Sequence, residues 1–106
     1  MKYNKLVRDN IPEIIEKNGS IPVTRTLDDA EFMEYLEKKL DEEVAEFHES
    51  KTIEELADIL EVVFALNKVC GMELFAKWHE KRDARGGFDE RILLIETIDS
   101  QEDGAE

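Results

Sequence analysis

Cysteine is nearly absent: Cys70 is the single one in 106 residues, so no internal disulfide can form. It stands near a helix end among apolar residues and reads as a reduced, buried structural thiol. No stretch approaches the roughly 18 apolar residues of a membrane span, and no N-terminal apolar segment of the signal type is seen. Neither spanning nor secretion is indicated, and the cytoplasm is the expected compartment. Positive charge is scarce as well. Fourteen Lys and Arg face 27 Asp and Glu, a net charge of −13, which argues against a nucleic-acid polymer or an anionic membrane as partner. A protein this acidic that acts on phosphates needs metal cations as go-betweens. Several catalytic motifs are missing too. There is no Gly-x-x-x-x-Gly-Lys phosphate loop. His48 lies two residues after Glu46 rather than three, and Ala76 stands where a di-iron motif ending at His79 needs Glu. His79-Glu80 lacks the second histidine of a zinc-protease helix, and both histidines read as surface residues.

What the chain does contain is charge and apolar residues in helical order. Charged residues make up 39% and hydrophobic ones 42%, which in a chain of one-domain length suits a small helical globule with a polar exterior. The domain is expected over residues 1–98. Asp99, Glu102, Asp103 and Glu106 fall in a tail, residues 99–106, with almost no apolar residues, and disorder is expected there.

The opening MKYNKLVRDN mixes basic and apolar positions ahead of a short helix. Asp9 or Asn10 can cap it, Pro12 fits its first turn, and Ile11, Ile14 and Ile15 give it an apolar face; Asn18-Gly19 ends it. Ile21 to Thr26 alternates and is rich in β-branched residues, so it reads as a strand, confined to an edge by Pro22. Asp28 or Asp29 then caps a helix of about six turns that runs to around Glu49. Thr52-x-x-Glu55 has capping-box form, so a tight turn at Ser50-Lys51 leads into a third helix, about 53–69, closed by Gly71. That helix is apolar nearly all round from Leu56 to Leu66, and covering every side in so short a chain calls for a second subunit. A fourth helix, about 73–85, has Leu74, Phe75 and Trp78 facing inward and Lys77, Lys81, Arg82 and Arg85 outside, with Gly86-Gly87 as its stop. Arg91 to Ile95 is a short apolar run, either a strand partnering residues 21–26 or a helix end; periodicity does not separate the two. The expected fold is mainly all-α: a bundle of four to five helices around an antiparallel helix pair, with a short two-stranded element as an option, assembled as a homo-oligomer.

The stretch from Asp41 to Val62, DEEVAEFHESKTIEELADILEV, holds the candidate chemistry. Leu36, Leu40, Val44 and Phe47 define the apolar stripe of the second helix. A turn of about 100° per residue puts Glu43 inside that stripe and Glu46 at its edge. Glu55 and Asp58 share a strip of the third helix with Val62, Ala65 and Leu66. Unpaired carboxylates among apolar side chains are costly, so a cation should meet them. Acidic pairs at this spacing also arise by chance on a solvated face in a chain with 27 acids; what distinguishes these is their embedding on two consecutive helices. An oxygen-only donor set suits Mg²⁺ or Mn²⁺ rather than zinc or copper. A magnesium cluster between two helices in turn suits phosphoanhydride hydrolysis. Lys5 and Arg8 before the first helix, and Lys81, Arg82 and Arg85 at the end of the fourth, are candidates to hold the remaining phosphates. On position alone, Lys5 and Arg8 read first as surface charges near a chain end.

Glu43-Val-Ala-Glu46 followed by Glu55-Leu-Ala-Asp58, the latter extending through ELADILEVV, resembles the ExxE…ExxD metal motif of the MazG-like, all-α nucleoside triphosphate pyrophosphohydrolases. That superfamily also takes in phosphoribosyl-ATP pyrophosphohydrolase. The opening KLVRDNIPEII and the later RGGFDERILL are similar to one branch of its small single-domain members, and together these stretches cover most of the chain up to about Ile98. The resemblance implies a magnesium-dependent enzyme in which water cleaves a nucleoside triphosphate to monophosphate and pyrophosphate, with nucleotide-pool cleaning as a role. It implies Glu43, Glu46, Glu55 and Asp58 as Mg²⁺ ligands, with Glu46 or Glu42 helping to activate the water. The family's helical dimers and tetramers accord with the over-apolar third helix. One departure concerns specificity: only eight residues separate Glu46 from Glu55, shorter than the family's usual gap, which leaves little loop to shape a base pocket. Two further expectations stay open, phosphoribosyl-ATP as the substrate in histidine synthesis and a non-catalytic acidic helical module that binds a partner protein through the third helix.

Overall fold

The computed structural model describes residues 1–99. Among the described residues four helices follow one another: α1 (Ile11–Lys17), α2 (Asp29–Ser50), α3 (Ile53–Val69) and α4 (Leu74–Arg85). The chain divides into two compact units, Met1–Glu73 and Leu74–Glu106. None of the helices among the described residues is long and apolar enough to cross a membrane. All but the first residue of the acidic tail lies outside the described residues.

In the first unit α2 and α3 pack against each other. Leu36, 2% exposed, and Val62, 7% exposed, lie at the core of that contact. α2 starts at a reciprocal cap: the Glu31 N–H donates to Asp28 Oδ1 at 2.9 Å and the Asp28 N–H donates to Glu31 Oε1 at 3.3 Å. The Arg25 guanidinium forks onto the same Glu31 carboxylate at 3.0 and 2.8 Å, and this bond holds the Glu31 carboxyl below its ordinary range. Residues 21–26 are thus drawn towards the first turn of α2 and do not form the expected strand. No strand occurs among the described residues, and residues 91–97 are neither strand nor helix. β-Branched alternation needs a partner ladder to become a strand, and an isolated pair is marginal in water. Ile21 and Val23 are accordingly exposed.

Only Lys51 and Thr52 separate α2 from α3, so the two form a helical hairpin. Lys51 takes the left-handed conformation, φ 55, with its N–H donating to the Phe47 carbonyl at 2.7 Å. The capping box expected at Thr52 does not form; its hydroxyl lies 3.2 Å from Ser50 Oγ instead. A left-handed position without glycine is strained, so Lys51→Gly should stabilise the unit by about 0.5–1 kcal/mol in a urea melt. The gain is net of the exposed bond that Lys51 Nζ donates to the His48 carbonyl.

α1 has Pro12 in its first turn as expected, although Asn10 makes no side-chain cap bond. It closes with the Ser20 N–H on the Ile15 carbonyl at 3.1 Å. α3 turns Val62 inward, and its opposite side leaves Leu56 and Leu60 exposed, the latter 51%. Cys70 is exposed, contrary to expectation. It caps the last turn of α3 beside Gly71, whose φ of +109 turns the chain away.

The second unit shows why α4 reads poorly from its pattern. Phe75 and Trp78, expected inward, are 58% and 56% exposed. Arg82 lies over the Trp78 ring, 6.0 Å from its centroid, so the indole is partly screened by a guanidinium rather than by a core. Gly86 ends the helix at φ +82. Gly87 gives Arg82 room, because a Cβ there would fall 2.6 Å from its Nη1.

Candidate metal centre

The packed pair α2 and α3 carries acids on its facing sides. Carboxylate oxygens of Glu42, Glu43 and Glu46 lie within 4.8 Å of one another, and so do those of Glu43, Glu55 and Asp58. Glu43 belongs to both groups and is the hub. It is 5% exposed, where the Leu36–Leu40–Val44 stripe puts it, while Glu55 and Asp58 are half-buried and Glu46 is exposed. Among the described residues, Oε1 of Glu43 and Oε2 of Glu55 are buried with no hydrogen-bond partner. Such groups keep the cost of desolvation without a bond to offset it.

Among the described residues, three basic side chains reach the acids. Lys39 Nζ is 3.2 Å from both Glu42 Oε2 and Glu43 Oε2. Lys5 Nζ lies 3.3 Å from the same Glu42 oxygen. Arg8 places Nη2 at 2.7 Å from Asp58 Oδ1 and Nη1 at 4.0 Å from Glu61 Oε1. The Lys5 and Arg8 pairs are partly solvated and worth little in stability, whereas the Lys39–Glu43 pair is largely buried, where the cost of desolvation offsets much of the attraction. Burial works against ionised Glu42, but the hydrogen bonds from Lys39 and Lys5 outweigh it and hold its carboxyl low. Burial likewise works against charged Lys39, and its bonds to Glu43 and Glu42 more than compensate, raising its pKa.

Glu46 and Glu55 shift the other way. The charge of Glu43 is the main push on the Glu46 carboxyl, followed by burial and by Glu55 and Glu42, and its pKa rises. Burial is foremost for Glu55, then Asp58 and Glu43, again upward. The centre is thus a set of carboxylates whose mutual repulsion its own lysines and arginine leave incompletely cancelled, and such a set could hold a metal ion. Glu46 and Glu55 also face an open cleft of about 310 Å³, which Glu49 and Ser50 complete.

The structure brings together Glu42, Glu43, Glu46, Glu55 and Asp58. It also brings Lys5 and Arg8 onto acids 37 and 50 residues further along the chain. Lys81, Arg82 and Arg85 belong to α4 in the second unit, where Arg82 is engaged with Trp78 and Gly87. Lys39 was not anticipated from the sequence. Its signal is the ordinary i, i+3 and i, i+4 spacing to Glu42 and Glu43, which many lysines of an acidic helix share.

No protein-family model matches the sequence, and no solved structure matches the chain. The chain is similar to an uncharacterized protein of Mycolicibacterium smegmatis (strain ATCC 700084 / mc(2)155), 54% identical over 48 residues. That match covers 45% of this chain and 49% of the relative, so the chain spans about half the length of the curated relative it matches.

Proposed function

We propose that this protein hydrolyses a nucleoside triphosphate to monophosphate and pyrophosphate, with Mg²⁺ held by Glu43, Glu46, Glu55 and Asp58. The observation that supports this most is the pair of buried carboxylate oxygens without partners, one on each of two packed helices. Among the described residues Lys5 and Lys39 meet Glu42 and Glu43, and Arg8 is shared between Asp58 and Glu61, while Glu46 and Glu55 have no basic partner, which leaves negative charge for a divalent ion. Every donor is a carboxylate oxygen, the set Mg²⁺ and Mn²⁺ favour. When bound, such an ion supplies positive charge to phosphate oxygens and acidifies water.

The chain's own residues do the rest. Lys5 and Arg8, already on the acids, are at hand for phosphate oxygens. Of the two candidate bases Glu46 is the freer, because Glu42 is committed to Lys5 and Lys39. The likeness to the MazG-like pyrophosphohydrolases supports the same reading, as does their oligomeric habit: a second copy over Leu56 and Leu60 would cover the exposed side of α3. On this reading the enzyme works in the cytoplasm on nucleotide pools.

The test is incubation of the full chain with Mg²⁺ and a panel of ribo- and deoxyribonucleoside triphosphates plus phosphoribosyl-ATP, with the products resolved. Monophosphate and pyrophosphate are expected; orthophosphate release, or no turnover of any nucleotide, removes the reading. The exposed Leu56 and Leu60 favour a second one, a non-catalytic module that docks a partner protein through α3. On that alternative, Mg²⁺ leaves the melting temperature unchanged.

A further inference from the structure

Glu42 lines a second pocket, of about 130 Å³, together with Asn4, Lys5, Tyr35, Lys38 and Lys39. Its character is opposite to that of the cleft beside Glu46 and Glu55. The cleft is walled by three glutamates and a serine, whereas three lysines and one carboxylate line the pocket. Lys5 and Lys39 both approach the same oxygen, Glu42 Oε2, at 3.3 and 3.2 Å. Glu43 draws Lys39 from one side, but no acid of the centre meets Lys38. Lys38 Nζ sits 4.7 Å over the Tyr35 ring and 3.7 Å from Glu34. Each lysine is paired with an acid, Lys5 and Lys39 with Glu42, Lys39 also with Glu43, and Lys38 with Glu34. Three grouped lysines are still unusual on a chain of net charge −13, and they adjoin the carboxylate centre through Glu42, which an incoming anion would have to displace from them. The pocket is smaller than the ~300–1,000 Å³ of sites that enclose a drug-sized molecule. It has room for a compact anion and none for a nucleoside.

We propose that this pocket seats the terminal diphosphate of the substrate, and therefore also binds inorganic pyrophosphate; the assignment rests on the hydrolase reading given above. It orients the substrate, with the α-phosphate at the carboxylate centre and the two outer phosphates among Lys5, Lys38 and Lys39. In the reaction the water oxygen bonds to the α-phosphorus and its proton passes to Glu46. The bond from that phosphorus to the bridging oxygen breaks, and its electron pair leaves on pyrophosphate. Charge gathers on the leaving group as this happens, and donors already aimed at it are worth more than in water.

The experiment is calorimetric titration of inorganic pyrophosphate into the full chain with Mg²⁺ present. Wild type is compared with Lys38→Glu, Lys38→Ala and Glu49→Gln, the last lying in the other cleft. Lys38→Glu should weaken pyrophosphate binding by about tenfold or more, Lys38→Ala by less, and Glu49→Gln not at all. The Mg²⁺-induced melting shift should stay at the wild-type value in the Lys38 variants, because Lys38 touches none of the clustered acids. Pyrophosphate bound by Lys38→Glu as tightly as by wild type overturns the seat, and so does a wild type that binds none. Nucleotide cleavage alongside unchanged affinity in Lys38→Glu would overturn the seat and leave the hydrolase reading standing. Pyrophosphate binding lost in Lys38→Glu, in a protein that cleaves no nucleotide, would support the seat and remove the hydrolase reading.

Discussion

If the protein is the proposed hydrolase, Glu43→Gln should lower kcat/KM for nucleotide cleavage by on the order of 10²–10⁴-fold, since a bound divalent ion would supply several kcal/mol of charge stabilisation to the transition state. The fold should survive. Glu43 is the hub of both carboxylate groups, so removing its charge also removes the main push on Glu46, whose carboxyl then returns towards its ordinary range. The amide keeps the shape of the side chain and leaves Lys39 its second partner, Glu42. Asp58→Asn should act in the same direction and additionally release Arg8 from its 2.7 Å contact. Product analysis for activity and circular dichroism for helix content decide the matter together. Wild-type turnover in both variants would mean that the clustered acids take no part in the reaction.

Adding Mg²⁺ to the metal-free protein should raise its melting temperature by about ten degrees or more once the ion is a hundredfold above its dissociation constant. Binding to the folded state alone then contributes ~2.7 kcal/mol, and a domain of this size gains several degrees per kcal/mol. The shift depends on pH with a definite sign. Glu46 and Glu55 have raised pKa values in the fold, so their contribution to stability is full below the ordinary glutamate value of about 4.3 and is lost as pH rises through the raised folded values. Glu42 and Glu31, held low by basic partners, contribute stability above that ordinary value and lose it as pH falls through their lowered folded values. The absolute melting temperature therefore mixes opposing trends, and the difference made by Mg²⁺ is the cleaner readout. It should be large at neutral pH, where the clustered carboxylates are ionised, and fade towards pH 4 as protons take the place of the ion. A Glu43→Gln protein should show little of it. An unchanged wild-type melting curve at neutral pH would leave the orphaned oxygens of Glu43 and Glu55 without the cation they are taken to await.

Much of the centre was legible because one helix period governs both packing and chemistry. The stripe Leu36–Leu40–Val44–Phe47 locates Glu43 on the inward side of α2, and it is buried there. Glu46, at the edge of the stripe, comes out exposed. The basic partners were harder to read. Lys5 and Arg8 meet acids far along the chain, and nothing in local spacing encodes a contact of that range. Lys39 lies within one turn of its partners, yet an acidic helix gives nearly every lysine such neighbours, so the signal does not discriminate. Elsewhere local pattern misled. The alternation of Ile21 to Thr26 is a strand signal only if a second strand is available, and residues 91–97 do not become one. The apolar character of Phe75 and Trp78 likewise says that they should be covered, not what covers them.

The two-residue joint between α2 and α3 leaves Glu43 and Asp58 only fifteen residues apart along the chain. Low contact order of this kind lets the constellation arise by closure of one helical hairpin, among the quicker events in folding. That closure also drives like charges together, so in the absence of a cation electrostatics resists the very step that topology hastens. A divalent ion would then act on the folding nucleus itself, lowering the barrier together with the native basin, rather than merely slowing escape from a finished fold.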